Sequence, residues 1–120
     1  MAIAELNDDN FNDTVTGEGI VLVDCWAPWC KACKDFQPVF EAAAERHPAH
    51  TFAKLNTSTE ERLVNELGVE NVPSLALFRD GVLLHLEAGY VERDGLDDII
   101  AQAESLDMDA VNAAIAAEAD

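Results

Sequence analysis

The chain has 120 residues, the length of one domain, and 49% of them are hydrophobic, enough to bury a core without disulfide staples. Twenty-four acidic residues against seven basic ones give a net charge of -17. That balance excludes nucleic acid and anionic membrane surfaces as partners, since both need clustered Lys and Arg, and leaves open a basic partner, saline surroundings or plain solubility.

Met1 to Asn10 has neither a basic nor an apolar region, so no secretory signal and a cytoplasmic location are expected. No apolar run approaches the roughly 20 residues of a membrane span. Ile3 to Leu6 reads as a short strand. Asn7 is the expected cap of a following helix, with Asp8 and Asp9 near its positive end and Phe11 and Val15 on one face. Ile20-Val21-Leu22-Val23 is a continuous apolar run, as in a central strand buried on both faces. Phe36, Val39, Phe40, Ala43 and His47 then recur at helical spacing, with Pro38 expected to kink the helix and Pro48 to end it.

Thr51 to Leu55 is the next strand. Ser58 and Glu61 have capping-box spacing before a helix carrying Leu63, Val64 and Leu67, which Gly68 terminates. Leu75 to Phe78 and Val82 to Ala88 read as two strands joined by an Asp80-Gly81 turn, the second alternating Val82, Leu84, Leu86 and Ala88 with Leu83, His85 and Glu87. Leu96, Ile99, Ile100, Ala103 and Leu106 form an amphipathic helix. Strands joined first through helices and then by a hairpin imply an α/β fold, with a mixed central sheet and helices on both faces.

The last residues differ. Met108, Val111 and Ile115 keep helical spacing, but in one continuous helix at about 100° per residue they fall opposite Ile99. The expected division is therefore a domain over 1–106 and an acidic helical extension over 107–120. Asp107, Asp109 and Glu118 match three positions of a calcium loop. Val111 and Asn112 occupy positions needing a ligand and a turn glycine, so the match is read as chance.

Cys30 and Cys33 are separated by two residues at the start of a helix. Disulfide exchange needs a thiolate attacker and a second thiol to release the mixed disulfide, and this spacing supplies both. A zinc site needs four ligands. There is no second cysteine pair, and His47, His50 and His85 show no paired ligand spacing, so no metal is expected.

The segment Val23-Asp24-Cys25-Trp26-Ala27-Pro28-Trp29-Cys30-Lys31-Ala32-Cys33-Lys34 resembles the active-site signature of the thioredoxin family. Phe52 to Asn56 resembles that family's next strand, Val72 to Phe78 its cis-proline segment, and Gly89 the glycine after its hairpin. The likeness extends from about Ile3 to Leu106. It implies a thioredoxin fold, with the last helix as an addition. Cys30 would be an exposed nucleophile and Cys33 the buried resolving thiol. Asp24 would accept the Cys33 proton and Lys54 would tune Asp24. Trp29 would shield the pair and Trp26 support the loop. Pro73 would be cis, with Val72 offering its backbone to an extended substrate and Gly89 alongside.

The activity implied is reduction or exchange of protein disulfides, with a thioredoxin-reductase-like electron donor and no bound cofactor. Lys31-Ala32 replaces the family's usual Gly-Pro, and Cys25 replaces a common aromatic residue. Lys31 favours the Cys30 thiolate and Ala32 loosens the turn, so the pair is expected to be more oxidising than a Gly-Pro pair. Cys25 is expected to be a small core residue. A different class of function, a binding or chaperone module using the same groove, is the alternative.

Overall fold

The computed structural model describes residues 3–118. Its elements are β1 (Ala4–Glu5), α1 (Phe11–Val15), β2 (Ile20–Trp26), α2 (Lys31–Arg46), β3 (Thr51–Asn56), α3 (Glu61–Leu67), β4 (Ser74–Arg79), β5 (Val82–Ala88), α4 (Arg93–Ser105) and α5 (Met108–Glu118). The five strands form one sheet in the order β1-β3-β2-β4-β5. β1, β3 and β2 run parallel, while β4 and β5 are antiparallel to their neighbours. This is the mixed sheet of a thioredoxin fold.

The alternation of side chains along a strand divides the core between two layers. Ile20 and Leu22 of β2 face α2 and α4, packing with Phe36, Phe40, Leu96 and Ile100. Val21, Val23 and Cys25 face α1 and α3, packing with Phe11, Val15, Leu55 and Leu63. A central strand covered on both sides has no solvent face to receive a polar residue. Asp24 continues the Ile20–Leu22 parity and therefore points beneath the start of α2.

Three local expectations are corrected. Asn7 does not cap α1: its Oδ1 accepts from the Asp9 and Asn10 amides, at 2.9 and 3.0 Å, and organises a turn after which the helix begins at Phe11. Nor does Ser58 cap α3, whose first residue is Glu61 and whose N-terminal flank is Glu60. Asn56 Oδ1 accepts from the Ser58 amide instead, so the polar residues there shape a turn ahead of the helix. In β5 the pairs Leu77–His85 and Phe78–Leu83 leave Leu84 unmatched. That bulge breaks the expected alternation, and Leu83 and Leu86 are both exposed.

α2 continues through Pro38 to Arg46. Asp80 and Gly81 both have positive φ, as a two-residue hairpin of this hand requires. At the sheet's far end Arg79 Nη1 donates to the carbonyls of Ala103, Glu104 and Leu106, at 2.7, 3.3 and 3.0 Å. The chain breaks there, between α4 and α5. Asp107 Oδ1 accepts from the amides of Asp109 and Ala110, so this residue of the calcium-like pattern serves as the cap of α5. No described side chain of α5 is buried.

Candidate active site

Strand β2 ends at Trp26, and the loop Ala27–Trp29 turns the chain into α2. Cys30 is the residue preceding the helix. Its extended backbone lets Sγ accept from the Cys33 amide at 3.1 Å, satisfying one of the free N–H groups of the first turn. Those groups and the helix dipole favour negative charge on Cys30. Cys33, one turn on, closes a disulfide with Cys30 across a Cα separation of 5.3 Å.

The expectation of an exposed Cys30 is corrected. Cys30 is 6% exposed and Cys33 3%, because Ala27, Trp26 and Val72 pack around the pair. The exposed neighbour is Trp29, at 75%. Val72–Pro73 is a cis peptide bond, and the Pro73 carbonyl accepts from the Gly89 amide at 2.8 Å. Gly89 has φ +105°, a conformation that favours glycine. Trp29, Val72, Val69, Glu70, Asn71 and Thr57 line a groove of about 420 Å³ beside the pair.

Asp24 is 1% exposed and its Oδ1 has no hydrogen-bond partner. Burial pushes its carboxyl up to about 7, against the opposing pull of the Lys54 charge and with a smaller push from Glu5. Asp24, Cys33, Lys54, Lys34, Gln37 and Trp26 share one cavity of about 350 Å³. The carboxyl, the inner cysteine and the lysine expected from the sequence therefore meet. Lys54 Nζ also lies 5.5 Å from the centre of the Trp26 ring.

Cys25 is fully buried on the opposite face of β2, and burial followed by the Asp24 charge pushes its thiol up to about 12. It faces away from Cys30 and Cys33. Lys31 is solvent-exposed and donates to Asp35 at 3.2 Å, one turn along α2. The sequence reading missed Asp35, although its i, i+4 spacing from Lys31 was visible. It also missed Glu5, whose Oε2 accepts from Trp26 Nε1 at 3.3 Å. Only strand pairing brings Glu5 there, and no local pattern announces it.

The thioredoxin family model matches residues 2–102. The chain belongs to the thioredoxin family. It is 41% identical over 112 residues to "Putative thioredoxin 2" of Streptomyces coelicolor, covering 93% of this chain and 84% of that one. The thioredoxin of Alicyclobacillus acidocaldarius is 36% identical over 97 residues, covering 80% and 92%. Among solved structures, the Malassezia sympodialis thioredoxin Mala s 13 superposes with a TM-score of 0.77 at 25% identity, covering 84% and 90%. The fold, the family and the paired cysteines make this chain a thiol–disulfide oxidoreductase. Among the described residues, no helix is long and apolar enough to cross a membrane.

Proposed function

We propose that the chain works in the reducing direction on protein disulfides. The observation that carries the exchange step is Asp24, with an unpartnered oxygen in the Cys33 cavity and a proton affinity set near neutrality, and the reducing direction is what membership of the thioredoxin family supports. The Cys30 thiolate attacks one sulfur of the substrate disulfide. A mixed disulfide forms and the first substrate thiolate leaves. Cys33 gives its proton to the Asp24 carboxylate and attacks Cys30 Sγ. The second substrate thiolate leaves, and Cys30 and Cys33 end as the disulfide.

The groove beside Trp29 and Val72 receives an extended segment of the substrate, and the cis Pro73, whose carbonyl accepts from the Gly89 amide, fixes the backbone of Val72 at its edge. Lys54 tempers the proton affinity of Asp24, and Trp26 supports the loop. A thioredoxin-reductase-like donor returns two electrons to the pair, and the proton held by Asp24 goes back to Cys33, which restores the Cys30 thiolate and the Cys33 thiol. A cytoplasmic location suits a dithiol that must be kept reduced.

The test is insulin reduction. Wild type is expected to turn over, Cys30→Ser to be inactive, and Cys33→Ser to accumulate a mixed disulfide with substrate. Undiminished turnover by Cys30→Ser overturns the mechanism. Tight substrate binding without turnover in wild type favours the binding module instead.

A further inference from the structure

Lys54 stands in register between two acidic residues. β1 pairs Glu5 with Lys54, and β2 pairs Asp24 with the same residue. Residues opposite one another in neighbouring strands present their side chains on one face of the sheet. Glu5, Lys54 and Asp24 thus form a row across three strands, running from the sheet edge to the cavity beneath Cys33. Trp26 closes the row from above. Its indole N–H donates to Glu5, and its ring lies 5.5 Å from Lys54 Nζ.

Other charged groups surround this row. Lys34 of α2 shares the Asp24 cavity. Glu41 and Glu45 of α2 line a second opening with Lys54 and Ile3. Cys25, the neighbour of Asp24 along β2, faces the other layer. Among the described ion pairs none involves Lys54, so its charge is not committed to either carboxylate.

We propose that Glu5 is a positioning residue for the exchange reaction: it holds Trp26, draws on the charge of Lys54, and so governs when Asp24 can take the Cys33 proton. The proposal rests on Asp24 being the proton acceptor. Its logic is electrostatic. Lys54 alone favours an ionised Asp24. A second carboxylate on the outer side of Lys54 offsets that pull and itself disfavours another negative charge in the row. Removing the Glu5 charge strengthens the pull of Lys54 on Asp24, with Glu41 and Glu45 still beside the lysine, and Asp24 then ionises at lower pH.

The test follows the Asp24 side-chain carboxyl carbon by NMR as a function of pH in wild type, Glu5→Gln and Glu5→Asp. The pH profile of exchange is measured for the same proteins and for Asp24→Asn. Glu5→Gln is expected to lower the Asp24 midpoint by roughly half a pH unit, and the acid limb of the rate profile moves with it. Glu5→Asp keeps the charge and is expected to stay near wild type. An unmoved midpoint in Glu5→Gln overturns the proposal, as does a shift in Glu5→Asp as large as that in Glu5→Gln, because the charge is then not what moves it. A rate profile that Asp24→Asn leaves unchanged removes Asp24 as acceptor, and the proposal falls with it. A profile that responds to Asp24→Asn while the Glu5→Gln midpoint stays put sinks the role of Glu5 alone.

Discussion

The two ends of the sheet treat their carboxylates differently. At the end remote from the cysteines, the charges between α2, β4 and α4 are paired, although Arg46 Nε and His85 Nε2 are themselves buried without a hydrogen-bond partner. Arg46 Nη2 and His47 Nε2 both reach Asp97 Oδ1, at 2.8 and 2.9 Å. His50 Nε2 reaches Glu104 at 2.9 Å, and Arg79 closes the carbonyl end of α4. At the cysteine end Asp24 is buried with one oxygen unpartnered. A carboxyl buried without partners is costly, and in the proposed mechanism its proton affinity is what is used. One end holds elements together; under the proposed mechanism the other moves a proton.

The largest expected effect comes from removing the carboxylate. The Asp24 pKa is raised, from an ordinary value of 3.8 to about 7, so the folded chain holds a proton that the unfolded chain has released. Stability therefore falls as pH rises from about 4 to about 7 and stays low above that. Asp24→Asn abolishes this slope and stabilises the protein at pH 8 by up to about 4 kcal/mol. It also slows exchange at pH 7, by no more than roughly thirtyfold, because a free cysteine is already a few per cent thiolate there. Urea unfolding across pH, beside insulin reduction, reads both. A variant that is neither more stable nor slower breaks the contrast between the two ends.

Arg79→Met attacks the other end. It leaves the last carbonyls of α4 without their charged donor and is expected to cost about 2 kcal/mol, with exchange unchanged. Asp97→Ala is smaller, about 1 kcal/mol, because the pair is partly solvated. His47 and then Arg46 hold the Asp97 carboxyl below its usual range. That stabilisation is present above the ordinary carboxylate pKa and is lost as pH falls through the lowered one. The two ends thus oppose each other in pH, and these two groups place maximum stability at about pH 4, where the gain from Asp97 is nearly complete and the loss from Asp24 begins. A thermal-denaturation series from pH 3 to 9 with an optimum above 7 contradicts this placement.

The site was legible where chemistry is local. Two cysteines one turn apart mark an exchange pair by their spacing, and an acid inside an apolar strand stands out, but the role expected of Asp24 came from the resemblance to the thioredoxin family. The layer assignment was legible too, because β2 is apolar at every position except Asp24. What escaped depended on pairing between strands or on competition among nearby caps. The Glu5–Lys54–Asp24 row exists only through the register of β1, β3 and β2. The bulge at Leu84 is a property of β4 and β5 together. Asn7 and Ser58 are plausible caps in isolation, but Asn10 and Glu60 flank the helices in their place because turns precede both. The burial of Cys30 follows from Val72, which approaches from a distant segment.

The intervening pair of the motif comes next in size. Lys31 favours the Cys30 thiolate and hence the reduced form, but its charge is shared with Asp35 at 3.2 Å and screened by solvent. Lys31→Gly with Ala32→Pro is expected to make the protein less oxidising by about threefold in the glutathione equilibrium, well under the tenfold that corresponds to about 30 mV. Asp35→Asn is expected to move the equilibrium the other way. If the double variant is equally or more oxidising, the charge of Lys31 does not set the poise.

The smallest effect is expected from removing residues 107–120. The cut falls after Leu106, so Arg79 keeps all three of its carbonyl partners and α4 keeps its closed end. What leaves is a helix with no buried side chain among its described residues, with Ile115 46% exposed. Asp107, Asp109, Glu118 and Asp120 leave with it and no base does, which relieves some of the self-repulsion of a strongly acidic chain. The lost contacts of Met108 and Val111 and the relieved repulsion act in opposite directions. The net change in unfolding free energy is expected to stay within about 1 kcal/mol, with the exchange rate unaltered. The site lies at the other end of β2, and no residue of α5 lines its cavity or its groove. A loss of several kcal/mol in urea unfolding makes α5 part of the domain it follows. A loss of exchange at unchanged stability instead couples the two ends of the sheet.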